Sequence, residues 1–200
     1  MNERPRFWLT VLGAHTHLHA TACSACPHHV FGCCSHPPPY DWADVARVLS
    51  LGGRAHLEGA LARGDLTLTR GGLRFATPKR RGPRGKRVQG CVFLGEAGCV
   101  LDPREKPAVC NYYVCETALG GPPERNPHRD RPFFAYAVVR ELWTRWTREV
   151  SRVVDEAYGD TAPAFDDALV TLLAETYERL EREAGLEWAR PEPLPSPTVR

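Results

Sequence analysis

Residues Cys91–Cys115 read CVFLGEAGCVLDPREKPAVCNYYVC, and the four cysteines in that stretch are separated by seven, ten and four residues. Gaps of this kind suit ligands presented by a hairpin and a following helix and brought together by the fold. The stretch itself predicts those elements. CVFLGEAGCVL reads as a hairpin, or as a pair of short strands, around a GEAG turn. Asp102 and Pro103 suit the start of a helix carrying PREKPAVCNYYVC, which Pro107 must end or kink. Upstream, Cys23–Cys34 reads CSACPHHVFGCC and holds the other four cysteines, at 23, 26, 33 and 34. None falls between Cys34 and Cys91, and none follows Cys115.

Disulfide frameworks staple chains too small for a good core, in oxidising compartments, whereas a chain of 200 residues can bury a proper core. Four thiolates instead complete the tetrahedral shell of Zn2+ or hold an iron–sulfur cluster. Cys23 and Cys26 have the C-x2-C spacing that lets one tight turn present two sulfurs to one ion. Cys33 and Cys34 are chain neighbours that point apart, so one serves the same ion and the other a second ion or a bridge. Spacing leaves two arrangements open: each group closes its own site, or the groups interleave around a shared centre. A structural Zn2+ site in a peptide is worth about 10–16 kcal/mol apparent at neutral pH, comparable with a whole domain's stability. A segment with so few aliphatic residues is expected to depend on that contribution. Buried thiols are common singly, but two clusters of four with a C-x2-C pair are not. The expected ligands are therefore Cys23, Cys26, Cys33, Cys34, Cys91, Cys99, Cys110 and Cys115.

The order C-x2-C, a vicinal CC, then CVFL, GCVLDPREKPAVC and a final YYVC resembles the YkgJ-type family of small bacterial proteins. Zinc or iron chelation by eight cysteines is attributed to that family. The resemblance covers about Cys23 to Cys115, including the helix after the CC pair, and all eight cysteines fall on the family's cysteine positions. It implies Zn2+, iron or a [4Fe-4S] cluster as the cofactor, in a structural or redox role. Six residues separate Cys26 from Cys33, where the family spacer is generally shorter, and Asn111 follows Cys110, where a basic residue is common. A related cysteine motif is associated with flagellin lysine N-methylases. The resemblance thus also implies, as an alternative, an iron–sulfur enzyme of protein-modifying type.

Other residues qualify as accessories. His15, His17 and His19 would share one face of a strand, and His28, His29 and His36 crowd the first cysteine group. Imidazole is a competent ligand. Eight cysteines already fill two shells, so solvated histidines are the default, with His28 or His29 the exceptions to expect. Arg104 and Lys106, between Cys99 and Cys110, suit a cationic second sphere around thiolates. Surface charges on a polar turn are the equal alternative. Lys79, Arg80, Arg81, Arg84, Lys86 and Arg87 form the one strong basic run. It reads first as a solvated loop and second as a grip on nucleic-acid phosphates. Tyr112 and Tyr113 suit stacking on bases, or packing over the metal site. There is no Gly-rich phosphate loop, and Asp166 and Asp167 read as first-turn helix residues, not as a catalytic dyad.

Outside the cysteines the pattern is helical. Asp41 reads as the cap of a helix through DVARVLSL, ending at Gly52. A short helix is expected over His56 to Ala62, and LTLTRGGLRFA as a hairpin. From Asp130, apolar residues recur at three and four (Phe134, Val138, Leu142, Trp146, Val150, Val153, Ala157), predicting a long amphipathic helix to Gly159. Its aromatics Phe133, Phe134, Tyr136, Trp143 and Trp146 cover more than one face, which suits burial on two sides or a partner surface. Thr161 and Pro163 suit the opening of another helix, with Leu169, Leu172, Leu173 and Leu180 on one face and Gly185 at its end. The expected fold is mainly α with small β hairpins (α+β). A cysteine-rich region over 1–128 would pack on a helical hairpin over 129–186, ahead of a Pro-rich tail over 187–200. The formal net charge of +2 gives no global pull towards nucleic acid or membrane. No apolar run approaches the roughly 20 residues needed to span a bilayer. Arg4 and Arg6 before FWLTVLGA only faintly suggest a signal peptide, so the expected location is cytoplasmic.

Overall fold

The computed structural model describes residues 7–10, 17–20, 33–81, 87–95, 98–113, 115 and 130–186. Strands β1 (Phe7–Thr10) and β2 (His17–Ala20) pair antiparallel, with Thr10 opposite His17. A 3-10 turn, Cys33–Ser35, carries the vicinal cysteines. The prolines at 37–39, each fixing φ, then lead to helix α1 (Trp42–Ser50). Asp41 caps α1 as expected. Its carboxylate accepts from the Asp44 N–H at 2.7 Å, and the Asp44 carboxylate accepts in return from the Asp41 N–H at 3.3 Å. Every residue of α1 from Trp42 to Val48 is buried, which is too much for a helix covered on one side only.

Helix α2 (Arg54–Ala62) follows, then the hairpin β3 (Leu66–Thr69) and β4 (Gly72–Phe75). This hairpin is locked to the entry of α1. Tyr40 and Leu73 exchange both backbone hydrogen bonds at 2.9 Å, and the Trp42 indole N–H donates to the Arg70 carbonyl at 2.7 Å. Gly72 is required there. Its φ is +127°, and a Cβ at that position would lie 2.0 Å from the Tyr40 carbonyl oxygen. Gly72→Ala is expected to cost roughly 2–3 kcal/mol, from backbone strain and overpacking together. A urea-unfolding midpoint indistinguishable from wild type would contradict this.

The basic run departs from its expected loop form. Lys79–Arg81 is a strand, β5, paired antiparallel with β6 (Arg87–Gln89). Arg84 and Lys86 lie outside the described residues. A fourth antiparallel pair, β7 (Leu94–Gly95) with β8 (Gly98–Cys99), forms where the sequence places it.

The next helix starts later than expected. Asp102–Lys106 is a turn, in which the Glu105 and Lys106 N–H groups both donate to the Asp102 carbonyl at 2.9 and 3.1 Å. Pro107 disfavours helical geometry at Lys106, so helix α3 is confined to Ala108–Tyr112 with Pro107 as its first flanking residue.

Helix α4 (Asp130–Tyr158) is the long helix of the sequence reading, stopped by Gly159 at φ +62°. Its buried stripe is Trp143, Trp146, Val150 and Val154. Val138, five residues before Trp143 and so about 140° around the helix, is 69% exposed. Val139 takes its expected place, half-buried against the core. Helix α5 (Asp167–Ala184) opens at Asp166, not at Thr161. The Asp166 carboxylate accepts from the Leu169 N–H at 3.0 Å, a stronger start than Thr161 and Pro163 offer. Gly185, at φ +63°, ends it as expected.

The fold is mainly α with small β hairpins, and one hydrophobic core joins its parts. Cys91, Phe93, Leu101, Ala108 and Tyr112 of the cysteine-rich region belong to the same cluster as Val45 and Val48 of α1, Trp143 and Val150 of α4, and Leu173 and Tyr177 of α5. Tyr40 stacks on Phe75 at 4.8 Å, and Phe75 meets Phe93 edge-on at 5.6 Å. Trp146 meets Tyr177 edge-on at 5.2 Å. Among the described residues, no helix is long and apolar enough to cross a membrane.

Candidate metal centre

Six of the eight expected cysteine ligands lie among the described residues, and none of the six is in a disulfide. Cys23, Cys26, His15, His28 and His29 lie outside them. Cys33 and Cys34 sit on the 3-10 turn, and the Cys91 N–H reaches across to the Cys34 carbonyl at 2.7 Å. Cys91 is held on both sides by its neighbours: the Gly90 N–H donates to the Pro78 carbonyl and the Val92 N–H to the Ala76 carbonyl. Cys99 ends β8, and Cys110 lies in α3.

Electrostatics place these sulfurs in one neighbourhood. The Cys34 thiol is pushed well up, first by its hydrogen bond with Cys33, then by burial and by the charges of Cys33, Cys91 and Cys99. Cys33, receiving that hydrogen bond, is pulled down, and the positive charge of Lys106 adds to the effect. The Cys110 thiol is pushed up by its crowded surroundings first, then by Asp44, Cys99, Cys33 and Cys91. Charge effects of this kind fade beyond about 10 Å. Cys33 and Cys34, Cys91 and Cys99, and Cys110 therefore lie within reach of one another's charge, and the hydrogen bond from the Cys91 N–H to the Cys34 carbonyl joins the two groups. Cys110 nevertheless keeps an exposed surface. Cys115 is half-buried three residues past α3, and it is not among the charges felt most strongly at Cys34 or Cys110.

Among the described residues, no three His, Cys, Asp or Glu side chains meet closely enough to hold an ion. Thiolates repel one another, so only the ion's own attraction draws sulfurs to the roughly 2.3 Å of a coordination shell. The donor set suits a soft or borderline cation.

The accessory residues divide. Arg104 turns its guanidinium onto Asp102, with Nε to Oδ1 at 2.9 Å and Nη2 to Oδ2 at 3.0 Å. Lys106, half-buried, is the cation whose field reaches Cys33. His17 is half-buried and His36 exposed. Tyr112 is buried in the core while Tyr113 is 45% exposed. Lys79 and Arg87 are exposed on the β5–β6 hairpin.

A buried polar network under the Cys99–Cys110 connection escaped the sequence reading. Arg47 of α1 is fully buried and donates to two carbonyls of that connection, from Nη1 to Arg104 at 2.9 Å and from Nη2 to Lys106. Asp44, also buried, accepts from the Ala108 N–H at 2.6 Å. The Tyr40 hydroxyl donates to the Glu105 carbonyl, and Asn111 Nδ2 to the Pro103 carbonyl at 2.7 Å. His56 of α2 lies 3.4 Å from the Glu105 carboxylate, and burial pulls its imidazole down. The available signal was an acid and a base three residues apart in DVARVLSL, beside Val45 and Val48 on the face predicted to be apolar.

Comparison of the chain with family models, curated proteins and solved structures returns no match.

Proposed function

We propose that this is a metal-binding protein whose cysteines hold Zn2+ or an iron centre in a structural or redox role, as the resemblance to YkgJ-type proteins implies. One observation supports the reading: the Cys91 N–H donates to the Cys34 carbonyl at 2.7 Å, which brings the two cysteine groups of the sequence together, and the charges of Cys33, Cys91 and Cys99 bear on Cys34 and Cys110. Burial and mutual repulsion hold Cys34 and Cys110 high, and a divalent cation would relieve both by taking the charge. Residues Cys33, Cys34, Cys91, Cys99 and Cys110 would hold the ion, joined by Cys23, Cys26 and Cys115 to make up two shells. When bound, such a centre supplies either a fixed crosslink or, with iron, one-electron chemistry. Thiolate ligands persist in a reducing compartment, and we propose the cytoplasm as the protein's location.

Protein purified without oxygen is expected to contain near-stoichiometric zinc or iron. A colourless zinc protein assigns the structural role, and visible absorption lost on oxidation assigns an iron–sulfur centre. Finding neither metal, with all eight thiols freely titratable, would reject the proposal.

A further inference from the structure

Four side chains outside the cysteine set converge on one short length of backbone. The connection from Cys99 to Cys110 has a middle, Pro103–Ala108, without helix or strand up to Pro107. Its carbonyls at Pro103, Glu105, Arg104 and Lys106 are taken by Asn111, Tyr40 and the two terminal nitrogens of Arg47. Its N–H at Ala108 is taken by Asp44. Tyr40, Asp44 and Arg47 all come from α1 or its entry, some 57 to 65 residues away in sequence. All four side chains belong to buried residues. Arg47 also lies over the Trp143 ring at 5.9 Å, and Asp41 accepts from the Thr147 hydroxyl at 2.7 Å, so α4 backs the same network.

Buried polar groups are costly, and apolar residues would pack this helix face more cheaply. Their retention needs a return. What they fix is the backbone spacing and orientation between two expected ligands, Cys99 at one end of the strap and Cys110 in the helix at the other. Asp44 joins the two directly. It holds the first N–H of α3 and its charge is felt at the Cys110 thiol.

We propose that Tyr40, Asp44, Arg47 and Asn111 form a positioning clamp that holds the backbone between Cys99 and Cys110 in place as metal draws the sulfurs together, and thereby sets the affinity of the centre. The inference rests on the metal-binding reading above. Outer-sphere partners of metal ligands typically change affinity about 10–100-fold when removed.

Co2+ is the probe, because its thiolate charge-transfer absorption reports both occupancy and ligand geometry. Reduced full-length protein is titrated with Co2+ against a competing chelator. Arg47→Lys keeps a charge but loses the fork that reaches two carbonyls, and is expected to weaken Co2+ binding about 10-fold or more and to alter the absorption. Tyr40→Phe removes one hydrogen bond without disturbing the core shape, and is expected to weaken binding about fivefold. Val154→Ala is the control. It loosens the buried stripe of α4 eleven residues from Trp143, about 16 Å along the helix, and is expected to leave affinity and spectrum as in wild type. Arg47→Lys and Tyr40→Phe leaving both within about twofold of wild type, or Val154→Ala weakening binding as much as they do, would overturn the clamp. If Arg47→Lys does not fold, Tyr40→Phe decides alone. Wild type taking up no Co2+ would instead remove the metal reading, and the clamp with it.

Discussion

Exchange of Cys110 for serine is expected to cost the metal-loaded protein several kcal/mol and the metal-free protein much less. Cys110 keeps an exposed surface, so a hydroxyl in place of its thiol meets water and loses little packing. A neutral serine is a poor ligand at pH 7, however. If a thiolate shell is worth about 10–16 kcal/mol apparent, one of four donors accounts for roughly 3–4 kcal/mol. Cys91→Ser should behave differently. That residue is 8% exposed and belongs to the hydrophobic core, so burying a hydroxyl there costs about 1–3 kcal/mol in both states. Urea unfolding with and without chelator separates the two variants. A Cys110→Ser penalty of the same size in both conditions would show that its thiol serves the fold and not an ion.

Arg47→Met is expected to destabilise the protein by about 3–5 kcal/mol, the usual cost of removing one partner from a buried ion pair. Arg47 and Asp44 approach to 3.9 Å, with side chains essentially sealed from water. Methionine fills much of the volume but leaves the Asp44 carboxylate without its counter-charge, and the Arg104 and Lys106 carbonyls without donors. Burial already pushes the Asp44 carboxyl well above its ordinary value, and Arg47 is the charge that opposes this. In Arg47→Met the carboxyl would therefore take up a proton at higher pH than in wild type. Asp44→Asn should be milder, because an amide oxygen can still accept from the Ala108 N–H. Unfolding midpoints that place Asp44→Asn below Arg47→Met would contradict this account of the pair.

Much of the fold was legible because its signals are local. Asp41 with Asp44 announces a helix start, and Gly159 and Gly185 announce helix ends, since each acts on its own turn of backbone. The hairpin around Gly71–Gly72 carries its turn residues within the loop. What failed was also local in origin but decided elsewhere. Trp146 and Val150 of the predicted stripe are buried and Leu142 packs against the core, but Val138 is exposed and Trp143 and Val154 complete the buried stripe. Several stripes of a 29-residue helix are apolar, and α1 and α5 choose among them. The late start of α3 follows from Pro107, whose effect on Lys106 the sequence reading underweighted.

The candidate site was legible as a list of cysteines and not as a place. Spacing could not decide whether the two groups stay apart. The hydrogen bond from the Cys91 N–H to the Cys34 carbonyl crosses the gap between the groups, and no spacing rule announces it. The supporting network was illegible because its partners are backbone carbonyls about 60 residues distant, and a carbonyl leaves no mark in a sequence.

The most direct measurement is X-ray absorption at the edge of whatever metal accompanies protein purified without oxygen. The account predicts a first shell dominated by sulfur at about 2.3 Å, with about four scatterers per ion. A shell of nitrogen and oxygen alone would contradict it.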